Sequence, residues 1–260
     1  MASGIYVAMG AARNQEHRLD TLSNDLANAN TPGFKSQETI YKQIHTDVTS
    51  LGNPEQAMGV HHPVRFLPED RLHSVMVDRY TKFAQGSLKF TGNDLDLAIK
   101  GEGFFTLQGQ NGPVYTRNGT FTLNREGLLV DQQGQPVLDD AGKSIQVNNA
   151  QGKIGISQDG AVMVDGERVA KLGLVRFDET SLQTLERIGN SGYRNLAPNV
   201  QPEQLDVPDV RQGFLETANV NPVHTMSMLI KTNRLFELNT RALQAYKSMD
   251  EQAAREVGKF

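Results

Sequence analysis

The sequence predicts an α+β protein: N- and C-terminal helices pair as a coiled-coil-like domain, and a central antiparallel all-β domain lies between them. Three observations carry this. Apolar residues recur at helical spacing near both ends, glycine turn pairs cut the middle into runs of strand length, and prolines interrupt the stretch joining the two.

At the N-terminus, Ile5, Met9, Ala12, Leu19, Leu22, Leu26 and Ala29 fall at spacings of three, four and seven, on one side of a helix. Arg13, Asn14, Arg18, Asp20, Thr21 and Asp25 occupy the other side. The run halts at Asn30-Thr31-Pro32-Gly33, where proline bars further helix and glycine allows a positive φ.

The C-terminal helix is expected to open at Asn221-Pro222, with Asn as N-cap and Pro at the first helical position, where its missing N–H costs nothing. Met226, Ile230, Asn233, Phe236, Thr240, Leu243, Tyr246 or Lys247, Asp250, Ala253 and Val257 then step by three and four, close to a coiled-coil seam. Leu229, Leu235, Leu238, Ala242, Ala245 and Met249 form a second apolar line beside it. Such a helix either packs on its own domain or seeks several partners. At about 1.5 Å per residue it is on the order of 55 Å long, too long for the β-rich middle to cover, which favours neighbouring subunits.

From about Asp78 to Gly213 the turn pairs are Asn111-Gly112, Asn118-Gly119, Glu126-Gly127, Gln133-Gly134, Ala141-Gly142, Asp159-Gly160 and Asp165-Gly166. Strands are expected at Phe104 to Leu107, Val114 to Thr116, Thr120 to Leu123, Leu128 to Val130, Lys153 to Ile156, Ala161 to Val164 and Lys171 to Phe177. They read as an antiparallel meander or small barrel. Gly52-Asn53-Pro54, His61-His62-Pro63 and Leu67-Pro68 make residues 36–77 an extended connector with one or two edge strands, and Pro198 to Pro208 a shorter one. The expected division is a terminal helical assembly domain (1–35 and 214–260), the connector (36–77) and a β-rich outer domain (78–213).

A net charge of −4 with scattered Lys and Arg argues against a nucleic-acid surface, and no apolar run approaches the roughly 18 residues of a spanning helix. There is no cysteine, so neither disulfides nor thiolate metal sites are available. The first twenty residues lack the pattern of a secretory signal and are expected to be mature structure.

Catalytic motifs are weak. Gly101-Glu102-Gly103-Phe104-Phe105 begins like a dinucleotide loop, but Thr106 stands where the third glycine belongs. His61-His62 lacks metal-ligand spacing, Asp139-Asp140 reads as a turn, and no serine sits in GxSxG. Asp94 and Asp96 would share one side of a strand as a carboxylate pair, although turn formation suits them better.

Three motifs give a more specific lead. Ile5-Tyr6-Val7-Ala8-Met9-Gly10-Ala11-Ala12, followed by Leu22-Ser23-Asn24-Asp25-Leu26-Ala27-Asn28-Ala29-Asn30-Thr31-Pro32-Gly33-Phe34-Lys35, resembles the N-terminal signature of bacterial flagellar rod and hook proteins. Asp94 to Phe105, with Tyr115-Thr116-Arg117-Asn118-Gly119-Thr120-Phe121, is similar to the opening of that family's β domain. Thr217-Ala218-Asn219-Val220-Asn221-Pro222-Val223 and Asn233-Arg234-Leu235-Phe236-Glu237-Leu238-Asn239 are similar to its C-terminal helix. Ile5 to Ala12 and Met249-Asp250-Glu251-Gln252-Ala253 look most like the proximal-rod member, with the distal-rod member as the alternative.

The resemblance implies a structural, non-enzymatic axial subunit in the basal-body rod, which crosses the periplasm and transmits torque from motor to hook. Its partners would be copies of itself and other rod proteins, with the flagellar type III export apparatus in transit and no cleaved signal peptide. No cofactor, metal, nucleic acid or small-molecule substrate is implied. On this reading Ile5, Met9, Leu19, Leu22 and Leu26 meet Met226, Ile230, Phe236 and Leu243, within a subunit or between neighbours. Asn30, Thr31, Pro32, Gly33 and Phe34 set the angle at which the chain leaves the helix, and the terminal helices are poorly ordered until docked. Two other classes compete: a carbohydrate-active protein using Asp94 and Asp96, and an adhesin-like module using Phe104, Tyr115 and Phe121 as exposed aromatics.

Overall fold

A computed structural model describes residues 2–45, 72–147, 152–189, 191–197, 200–205 and 207–257. The expected Gly52-Asn53-Pro54, His61-His62 and Leu67-Pro68 features lie outside the described residues. The chain is α+β. Helix α1 (Ala2–Ala27) leads to β1 (Gln37–His45) and β2 (Leu72–Thr81), which pair as a two-stranded sheet. Short strands follow: β3 (Leu88–Phe90), β4 (Leu97–Ile99), β5 (Phe104–Gly109), β6 (Gly112–Thr116), β7 (Thr122–Leu123), β8 (Leu129–Val130), β9 (Ile154–Ile156), β10 (Ala161–Val164), β11 (Glu167–Lys171) and β12 (Leu174–Arg176). After α2 (Glu179–Leu182) come β13 (Leu185–Ile188), β14 (Gly192–Asn195), β15 (Glu203–Gln204), β16 (Val210–Gln212) and β17 (Phe214–Glu216). Helix α3 (Pro222–Val257) ends the described chain.

Two compact units result: Met1–Asn24, Glu38–Tyr80 and Val223–Phe260 form one, and Asp25–Gln37 with Thr81–Pro222 the other. In the β-rich unit a six-stranded sheet of order β13-β14-β6-β5-β12-β15 runs antiparallel throughout. This differs from the expected meander, because strands distant in sequence, such as β5 and β12, are neighbours.

Side-chain alternation sends successive residues to opposite faces of that sheet. Phe105, Leu107, Val114 and Leu174 join a core with Leu97, Phe121, Val137 and Val162, while Phe104 and Tyr115 join Phe177, Leu185 and Tyr193 on the other side. Each such buried side chain contributes roughly 1.5–3 kcal/mol, so the core is ample without disulfides. Phe104, Tyr115 and Phe121 are all buried, which removes the adhesin-like reading built on their exposure. Asp94 is exposed, whereas Asp96 is buried and accepts a hydrogen bond from Asn93 Nδ2 at 3.0 Å. The proposed carboxylate pair is therefore a turn and its edge.

The Asp165-Gly166 pair joins β10 to β11 with φ of 52° and 89°, the doubly positive geometry of a tight hairpin. Asn118-Gly119 is no hairpin turn. Gly119 lies against the Leu97 backbone, whose carbonyl oxygen would stand 1.7 Å from an added Cβ. The run Lys171 to Phe177 breaks into β11 and β12 where Gly173 N–H turns to the Leu138 carbonyl at 2.9 Å.

Candidate functional site

Two features stand out: the faces of the terminal helices, and the turn that ends α1. Along α3 the least exposed residues step in fours and threes through Thr225, Leu229, Thr232, Phe236, Asn239, Leu243 and Tyr246, a heptad line rich in polar residues. Thr225 and Thr232 are buried, yet Met226, Ile230 and Leu238 are 50%, 54% and 58% exposed. The sequence-based seam thus coincides with the covered line from Phe236 onward and lies one residue off it before that.

Helix α1 likewise buries polar residues. Thr21 and Asp25 from its polar side, Ala12 from its apolar side and Asn28 just past its end are buried, while Met9 is 55% exposed and Ile5, Leu19, Leu22 and Leu26 are half-buried. The cause is β1. Its Tyr41 hydroxyl donates to the Asn14 carbonyl at 2.9 Å, and Thr39 and Thr21 share a hydrogen bond of 3.5 Å. Of the expected interface residues, Met9, Met226 and Ile230 therefore lie open, and Ile5, Leu19, Leu22, Leu26, Phe236 and Leu243 are partly covered.

The turn after α1 is held tightly. Thr31 N–H donates to the Asn28 carbonyl at 3.0 Å and Phe34 N–H to the Thr31 carbonyl at 3.3 Å. Asn30 is exposed, Thr31 and Pro32 are half-buried, and Gly33 and Phe34 are buried. Gly33 adopts φ of 68°, and an added Cβ would meet Asn118 N at 2.3 Å, so both conformation and space demand glycine.

Beyond the turn lies a buried ionic junction. Lys35 Nζ reaches Glu216 Oε1 at 2.5 Å, and both side chains are fully buried. Arg117 approaches Glu216 Oε2 at 3.3 Å, Gly86 N–H donates to Oε1 at 2.8 Å, and Lys35 also donates to the Ala84 carbonyl at 2.9 Å. Burial pulls the Lys35 ammonium below its ordinary pKa, opposed by the adjacent Glu216 carboxylate, and acts likewise on Arg117. Removing one partner from such a buried set costs about 3–5 kcal/mol, because an uncompensated charge remains. Arg187 lies 4.5 Å above the Phe34 ring and donates to the Lys35 carbonyl.

This junction joins the three sequence motifs. Phe34-Lys35 comes from the first, Arg117 from the second, and Glu216 directly precedes the third, whose Asn219 accepts from Ser36 N–H at 2.7 Å and donates to the Lys82 carbonyl at 2.6 Å. Sequence reasoning assigned no site role to Lys35, Arg117, Glu216 or Asn219. The available signal was a charged residue set directly beside aromatic or apolar neighbours, as in Phe34-Lys35 and Phe214-Leu215-Glu216.

An open cleft of about 640 Å³ beside Arg117 is lined by Phe83, Phe104, Phe177, Arg176 and Asp178; Arg176 pairs with Glu203 at 2.7 Å and Asp178 caps α2. Among the described residues, no three His, Cys, Asp or Glu side chains cluster to hold a metal, and no helix is long and apolar enough to cross a membrane.

Comparison with known proteins matches these regions. Residues 5–35 match the family described as flagella basal body rod protein, residues 98–164 the flagellar hook protein FlgE/F/G D1 domain, and residues 211–256 the flagellar basal body rod FlgEFG protein C-terminal. The chain is 34% identical to the flagellar basal-body rod protein FlgF of Caulobacter vibrioides over the full length of both. It is 36% identical to FlgF of Rhizobium meliloti over 99% of each chain, and 29% identical to the flagellar basal-body rod protein FlgG of Bacillus subtilis over 94% of each. With two full-length relatives at 34% and 36% identity and family matches at both ends and in the middle of the chain, the chain belongs to the flagellar basal-body rod protein family, and its role is structural rather than enzymatic.

Proposed function

We propose that the chain is the FlgF-type subunit of the proximal rod, polymerising through its terminal helices with copies of itself and with other rod proteins. The observation carrying this reading is the incomplete cover of both helices: contacts within the chain bury Ala12, Thr21, Asp25, Thr225 and Thr232, while Met9, Met226, Ile230 and Leu238 stay open to solvent. Apolar surface of this extent is costly in a free monomer and becomes favourable once neighbours cover it. Coiled-coil-like pairing of α1 and α3 segments, within or between subunits, would bury Ile5, Met9, Leu19, Leu22 and Leu26 against Met226, Ile230, Phe236 and Leu243.

In this reading residues 1–35 and 214–260 act as the assembly segments, 36–77 as the connector and 78–213 as the outer domain. The rod so formed spans the periplasm, and the chain reaches it unfolded through the type III export apparatus, with no small-molecule substrate and no cleaved signal. Replacing both Met226 and Ile230 with serine tests the interface. Secretion should continue and the β core should keep its thermal transition, while isolated basal bodies lack the variant. Normal incorporation of the double variant would exclude this face from the assembly contact.

A further inference from the structure

The turn that ends α1 takes its partners from the far end of the chain. Gly33 N–H donates to the Glu216 carbonyl at 2.8 Å, and Asn219 N–H donates to the Phe34 carbonyl at 3.3 Å. Ser36 N–H donates to the Asn219 side chain at 2.7 Å. Lys35 and Glu216, 181 residues apart, are both fully buried in contact with each other. A buried ammonium without its carboxylate is strongly unfavourable, and here Arg117 and Arg187 stand close by as like charges. Before residues 214–219 arrive, Lys35 has, among the described residues, the Ala84 carbonyl alone to receive it.

We propose that this junction is a completion check built into the fold: the signature turn docks only when the β17 segment and Asn219 are in place, and Glu216 is the positioning residue that permits it. The dependence is lopsided. Glu216 keeps Arg117 and Gly86 N–H when Lys35 is absent, but among the described residues Lys35 has no other carboxylate bonded to it. The C-terminal segment can therefore settle first, and the turn follows. A chain cut before residue 214 would lack Glu216 and Asn219, and its N-terminal turn would stay undocked. The docking order is a property of the single chain and stands apart from the polymerisation reading.

Pulse-labelled hydrogen exchange during refolding of the full chain from urea reads the order directly. The Gly33 and Ser36 amides should become protected together with or after those of Thr217 and Asn219, and later than Leu129, Val137 and Ile145 in the β core. In native-state exchange, Glu216→Gln should lose protection at Gly33 and Ser36 by at least about tenfold while the three core amides keep theirs. Protection of Gly33 and Ser36 before Thr217 in the unmodified chain would overturn the proposal. So would unchanged turn protection in the variant, or an equal loss in the core. The refolding measurement needs no variant, so a failure of Glu216→Gln to fold leaves the test intact.

Discussion

Burial raises the Asp25 carboxyl from 3.8 to about 6, with the Gln37 N–H at 3.3 Å and the nearby Arg187 charge only partly opposing it. Since the folded value exceeds the unfolded one, the ionised carboxylate costs stability above about pH 6, and that cost fades as pH falls toward 3.8. Asp25→Asn keeps an acceptor for Gln37 and removes the charge. It should stabilise the protein by up to about 3 kcal/mol near pH 7.5 and by almost nothing near pH 4, measured by urea unfolding at both. A gain independent of pH would assign the effect to something other than ionisation. Neither the burial of this residue nor its shift was legible in the sequence, where Asp25 falls on the polar side of an amphipathic pattern. Periodicity records which residues are alike, and it does not reveal that a following strand will cover the polar side.

The signature turn is the element where local sequence and distant contacts agree most closely. Asn30-Thr31-Pro32-Gly33 announces the end of a helix, and the described helix stops at Ala27. What the turn rests on comes from elsewhere: the Arg117–Asn118 backbone leaves no room for a Cβ at residue 33. Gly33→Val should therefore destabilise by at least about 3 kcal/mol through combined backbone strain and clash, seen as a lower urea midpoint, and should impair rod assembly. A variant as stable as the parent would mean the turn relaxes freely. Strands were legible where β-branched and aromatic runs met turn pairs, as at Phe104 to Leu107 and Ala161 to Val164. Their pairing was not, since a two- or three-residue strand carries no code for its neighbour. The register of α3 was legible from Phe236 onward and displaced by one residue earlier, because Thr225, Leu229 and Thr232 take the covered positions expected for Met226, Ile230 and Asn233.

At the scale of the whole molecule, stability is unevenly distributed. The β-rich unit has two apolar cores and the buried junction, whereas α3 runs 36 residues with several large apolar side chains in solvent. Helices with little tertiary cover open readily. Light digestion of dilute monomer with a nonspecific protease should release the C-terminal half of α3 and the start of α1 first, leaving a fragment that spans the β core, as read by mass spectrometry. Full protection of both helices at low concentration would show that the chain already satisfies them. The sequence by itself determined the α+β class, the two terminal helices, the turn between Asn30 and Gly33 and, through three motifs, the family; these rest on local periodicity, turn chemistry and fixed strings of residues. Only the tertiary structure decided which helix faces are covered, and that Lys35, Arg117 and Glu216 meet. Those outcomes depend on contacts between segments up to 181 residues apart, where pairing follows from packing and buried charge rather than from any local pattern.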